Sequence, residues 1–121
     1  MSVLSDLDIN KLVATERGLL VADESFSGYD YDYRAKYPST VWVAKQELGN
    51  QVEPWEQINF VLCAADSWSI IVENRISVEP FNDEESWYSC GKDELDFEYK
   101  DFDSNPLRAA MVCFLKLKHR I

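Results

Sequence analysis

Apolar positions recur at helical spacing in three stretches of this chain, and shorter β-branched and aromatic runs lie between them. In the first stretch Ile9, Leu12 and Val13 share one face. Ser5 is placed to cap a free backbone N–H, with Asp8 in capping-box position and Leu4 and Ile9 spaced as a hydrophobic staple. Gly18 suits a left-handed stop, so the pattern predicts a helix from about Asp6 to Arg17. A second helix is expected through Trp68, Ile70, Ile71 and Val72, with Asp66 as its cap and Asn74 as its terminator. In the third, Asn105-Pro106 pairs an N-cap residue with proline at the first helical position. Leu107, Met111, Phe114 and Leu115 then share a face up to about Lys118, and Lys116, Lys118, His119 and Arg120 complement the helix dipole.

The intervening runs predict strands. Leu19-Leu20-Val21 follows the first helix, Thr40–Ala44 is rich in β-branched and aromatic residues, and Ile76-Ser77-Val78 follows the second helix. Tyr29-Asp30-Tyr31-Asp32-Tyr33 alternates with period two, although Gly28 and Pro38 also permit a loop. Gly49-Asn50 reads as a turn, and Pro54 interrupts regular structure. Trp87-Tyr88 and Phe97-Glu98-Tyr99 predict a hairpin turning near Gly91-Lys92-Asp93. With no repeat and no linker, the order implies one α+β domain over residues 1–121, a short antiparallel sheet packed against about three helices.

Charge narrows the function classes. The chain carries a net charge of −10, which opposes nucleic-acid phosphates and anionic membranes, so neither direct nucleic-acid binding nor membrane association is expected. No apolar run approaches the roughly 20 residues that span a bilayer. Met1–Asp6 lacks the basic and apolar regions of a secretory signal, and Cys63, Cys90 and Cys113 are odd in number without CxxC spacing. Reduced thiols in a cytoplasm are the expectation.

Catalytic parts are scarce. His119 is the single histidine, no zinc constellation is visible, and no phosphate-loop, dinucleotide or nucleophile-elbow motif occurs. Asp83-Glu84-Glu85 and Asp93-Glu94 offer carboxylates for a divalent cation or acid–base pair, a pattern more often found on solvated surface. Cys113 reads as a buried small hydrophobe, and Cys63, at a helix start, has no evident base. No cofactor, no metal and no enzymatic activity are expected, and the third reading, behind two binding ones, is a carboxylate- and Mg²⁺-dependent activity.

Three blocks carry a resemblance: Leu4–Ala14, Asp66–Val78 with Trp68 before Ile70-Ile71, and Asn105-Pro106-Leu107-Arg108-Ala109-Ala110-Met111. Together with Trp87 they resemble the NinX-like family of small proteins from tailed phages and prophages. Ser69 stands where many members carry proline between the tryptophan and the paired isoleucines. The resemblance implies a phage accessory protein in the cytoplasm of an infected bacterium, and it brings no catalytic residues with it.

Two binding functions follow. In the first, the chain sequesters a small anionic, nucleotide-like signal of host defence. Trp68 or Trp87 stacks on a base, and Asn105 and Arg108 at a helix N-terminus hold phosphate, joined by Asn74 and Arg75 where the fold allows. A pocket shared between copies of a homo-oligomer fits this reading. In the alternative, Glu79–Asp103, with ten acidic residues against Lys92 and Lys100, faces a basic groove on a host protein as an acidic inhibitor.

Overall fold

Side-chain caps start two of the three helices whose bounds fall within the described residues. In the computed structural model, which describes residues 4–22, 36–47, 50–51, 54–81 and 85–121, the Ser5 hydroxyl accepts the Asp8 N–H at 3.1 Å and opens α1, Asp6–Glu16. Gly18, at φ +77°, follows it in the left-handed position that glycine adopts without a Cβ clash. Helix α2, Ala64–Glu73, departs from expectation at its start: Cys63 is the N-cap, and its side chain makes no cap bond. Asp66 lies inside the first turn, where its Oδ2 accepts the Asn59 N–H at 2.9 Å. Asn74 ends α2 as expected. Helix α3, Pro106–Leu117, begins at Asn105, whose Oδ1 accepts the N–H groups of Leu107 and Arg108 at 2.9 and 3.2 Å.

Among the described residues, three antiparallel assemblies lie between the helices. Strands β1 (Leu20–Val21), β2 (Val41–Ala44) and β5 (Glu56–Ile58) form one sheet in the order β1-β2-β5. Strands β3 (Gln46–Glu47) and β4 (Asn50–Gln51) form a ribbon with Glu47 opposite Asn50, so Asn50, expected in a turn, is a paired strand residue. Strands β6 (Ser77–Pro80), β7 (Trp87–Lys92) and β8 (Glu98–Asp103) form the third, in the order β6-β7-β8. The architecture is α+β, with its strands divided among these units where one short sheet was expected. Tyr29–Tyr33, Gly49, Asp83 and Glu84 lie outside the described residues.

The β7–β8 turn is displaced from its expected place. Gly91 and Lys92 are paired strand residues, and the chain reverses over Asp93–Phe97. Gly91 serves packing instead: a Cβ there would meet Leu117 Cδ2 at 2.8 Å, Ile76 Cγ1 at 3.3 Å and Cys113 Sγ at 3.5 Å.

Helix α3 is the centre of the core. A single apolar face was expected, but every residue from Ala109 to Leu115 is buried, and Leu117 with them. The cause is its position, with β6-β7-β8 packed against it and α1 and α2 also in contact. Each large apolar side chain buried here stabilises by about 2 kcal/mol, and α3 contributes more of them than any other single element. Polar bonds seat the neighbouring loop. Fully buried Asn10 donates to the Ser39 carbonyl at 2.8 Å and to Asn59 Oδ1 at 2.9 Å, and accepts the Phe60 N–H at 2.9 Å.

Candidate functional site

The second half of strand β8, Asp101–Asp103, inverts the usual rule of apolar inside and polar outside. The strand's inward positions are Tyr99, Asp101 and Asp103, whereas Glu98, Lys100 and Phe102 are exposed. Two cations of α3 hold it so. Lys116 Nζ lies 3.3 Å from Asp101 Oδ1, and Arg108 Nη1 lies 2.7 Å from Asp103 Oδ2. Because side chains alternate across a strand, a slip of one residue would bury Phe102 and expose the carboxylates. The two ion pairs oppose that slip.

Phe102 therefore joins an aromatic group on the sheet face opposite α3. Its ring meets Phe81 at 4.9 Å edge-on and Tyr88 at 5.1 Å, while Phe81 and Phe102 stay 44% and 45% exposed. Register sets Tyr88 between Phe102 and Glu79, and Glu98 opposite Lys92. The turn beyond adds exposed Glu94, Leu95, Asp96 and Phe97. Asp93 fixes this tip. Its Oδ1 accepts the N–H groups of Leu95 and Phe97 at 2.9 and 3.0 Å, and its Oδ2 accepts the Tyr99 hydroxyl at 3.2 Å. Burial alone would raise its pKa, but those donors and nearby His119 outweigh it and hold the carboxyl below its ordinary value.

A cleft of about 930 Å³ lies between the turn and the C-terminal ends of the helices. Glu16, Glu73, Asn74, Arg75, Asp93, Glu94, Asp96, Lys118 and His119 are among its lining residues. Much of this charge is internally matched, Glu73 by Arg17 at 2.6 Å and Glu16 by Arg120. Arg75, Asp96 and His119, the three described non-glycine residues with positive φ, all line it. Among the described residues no group of three or more His, Cys, Asp or Glu is placed to hold a metal ion. Burial pushes the Cys113 thiol up to about 11, which suits a packing residue and not a nucleophile.

Of the six residues expected to form an anion pocket, Trp87, Asn105 and Arg108 each adjoin Asp103, whereas Asn74 and Arg75 lie apart at the cleft. Arg108 Nε donates to Asp6 Oδ1 at 2.8 Å, and its remaining nitrogens serve Asp103 and the Leu4 carbonyl. The guanidinium thus braces α1 and β8. Asn105 is occupied as the cap of α3, and its Nδ2 donates to the Val61 carbonyl at 2.7 Å. Asn74 and Arg75 line the cleft beside Leu117–His119, nine or more residues along α3 from Arg108, or about 14 Å at 1.5 Å per residue. Asn74 and Arg75 thus do not join Arg108. Trp68 is 63% exposed on α2, and Trp87 is half-buried on β7 opposite Asp103. The aromatic trio escaped the sequence reading because Phe81 and Phe102 are far apart in the chain. The signal that could have found it is the Asp101-Phe102-Asp103 alternation, once α3 was seen to carry two cations.

Among the described residues, no helix is long and apolar enough to cross a membrane. A family model described as Bacteriophage P22, NinX matches residues 1–118, spanning the acidic segment as well as all three sequence blocks. No curated protein and no solved structure gives a match.

Proposed function

The chain belongs to the bacteriophage P22 NinX family, and from that premise we propose a non-catalytic accessory protein that binds a basic host protein in the cytoplasm of the infected bacterium. The binding surface is the outer face of β6-β7-β8 with the adjoining turn. The observation that carries this reading is the inverted burial of Asp101–Asp103 in β8, which keeps two carboxylates inside and presents Phe102 to solvent beside Phe81 and Tyr88. Exposed aromatic patches and buried polar groups are the informative departures from ordinary burial. Aromatic anchors supply affinity at interfaces, and the surrounding carboxylates steer and select a basic partner. Sequestration of a small anion draws less support, because Arg108 is committed to Asp6 and Asp103 and both tryptophans lie away from the cleft.

Affinity capture from the bacterial host tests this, read as a difference between variants. The wild type should retain a basic protein that Phe102→Ser loses while keeping its fold. Raising salt to about 1 M, where the Debye length falls to about 3 Å, should release it. A retained set that Phe102→Ser leaves unchanged would overturn the proposal.

A further inference from the structure

The three rings on the outer face of β6-β7-β8 form a corner. Phe102 sits between two inclined neighbours, Phe81 at 74° and Tyr88 at 49°, with centroids 4.9 and 5.1 Å away. Neither lies flat on Phe102, and Phe81 and Phe102 stay exposed, so ring surface remains open to solvent. An open ring face is the negative pole of the aromatic quadrupole and attracts a cation.

A carboxylate adjoins this corner. Glu79 pairs directly with Tyr88, which in turn pairs with Phe102, and Phe81 follows Glu79 by two residues, so these side chains leave the sheet on one side. Directly paired residues have Cβ atoms about 5 Å apart. Glu79 is exposed, and among the described residues its carboxylate has no ion pair or hydrogen bond. The cations of the same face are already engaged. Lys100 Nζ lies 3.1 Å from Glu98 Oε1, and Lys92 Nζ lies 3.7 Å from Asp96 Oδ1. Among the described residues Lys36 lies over the Tyr37 ring, and no cation covers Phe81, Tyr88 or Phe102.

Resting on the reading of this face as the surface for a basic partner, we propose that the corner of Phe81, Tyr88 and Phe102 with Glu79 receives an arginine side chain of that partner. A guanidinium is planar and weakly hydrated, so it stacks on a ring while its N–H edge bonds a carboxylate. An ammonium is compact and strongly hydrated, and has no plane to stack. A purely apolar side chain would draw water from Glu79 without giving it a donor, which costs free energy. The free carboxylate thus selects a cation, and the inclined rings select a flat one.

Titration of the full chain with arginine blocked at both ends, followed through the ring-proton NMR shifts of Tyr88 and Phe102, tests this. Blocked citrulline, the uncharged isostere, and blocked lysine are titrated in parallel. Arginine should bind about 5-fold or more tighter than citrulline, equivalent to the roughly 1 kcal/mol of an exposed cation–π contact, and tighter than lysine. Phe102→Leu, which keeps apolar area but removes the ring, should weaken arginine binding about 5-fold, and Glu79→Gln should weaken it as well. Equal binding of arginine and citrulline, or of arginine and lysine, would overturn the inference. So would a Phe102→Leu chain that titrates like the wild type. The two proposals fail separately. A host protein lost with Phe102→Ser but retained by Phe102→Leu would keep the basic partner and remove the arginine from this corner.

Discussion

Asp101 and Phe102 are neighbours in sequence, and each occupies the surroundings customary for the other. The Asp101 side chain is 4% exposed, and its Oδ2 has no hydrogen-bond partner. Burial raises its pKa, only partly offset by Lys116. A carboxyl whose pKa is raised by folding contributes stability below its unfolded value of about 3.9 and loses it as pH rises through the folded value. Asp101→Asn should therefore be more stable than wild type at pH 7, with the difference closing in acid; thermal unfolding at both pH values checks it. Arg108→Ala should act in the other direction. It would leave Asp103, 12% exposed, without its guanidinium, at a cost of about 2–3 kcal/mol, visible as a lower urea midpoint. From sequence, Arg108 at a helix N-terminus reads as an anion-binding cation. Its partner Asp6 lies 102 residues away in the chain, a contact that no local pattern reveals.

Elements whose ends depend on neighbouring residues were legible in the sequence. Ser5, Asn105 and Pro106 marked α1 and α3 correctly because a cap is a local hydrogen bond. The start of α2 was misplaced because Asp66 looks like a cap but serves the backbone of Asn59. The β7–β8 turn was misplaced for a related reason. Glycine usually signals a turn, but Gly91 is required by the approach of Leu117, and the left-handed turn residue is Asp96 at φ +69°. Gly91→Ala should thus destabilise by about 1–2 kcal/mol through crowding against α3, although alanine suits a strand no worse than glycine. Denaturant unfolding would show this, and an unchanged midpoint would mean that Leu117 swings aside freely. Arg75 follows the Asn74 cap of α2 at φ +51° and lines the cleft. Arg75→Gly should raise stability by up to about 1 kcal/mol by relieving that backbone, measured in the same way.

For the whole molecule, composition indicated a sign of charge but not where it acts. The net charge of −10 made a basic partner plausible from sequence; the fold adds an aromatic centre for that charge to surround. Long-range attraction acts mainly on association rate, so neutralising Glu94, Asp96 and Glu98 together should slow binding to a basic partner and flatten its salt dependence. Dissociation should change less, because Phe81, Tyr88 and Phe102 remain. Asp93 is unsuitable for that test, since its carboxylate builds the turn. The most direct measurement is photocrosslinking in the bacterial host, with a benzophenone analogue of phenylalanine replacing Phe102 and, separately, Val72. Position 102 should yield a discrete adduct with one basic host protein, and position 72 should yield none with that protein. A host adduct from position 72 and none from position 102 would contradict the assignment of function to the β6-β7-β8 face.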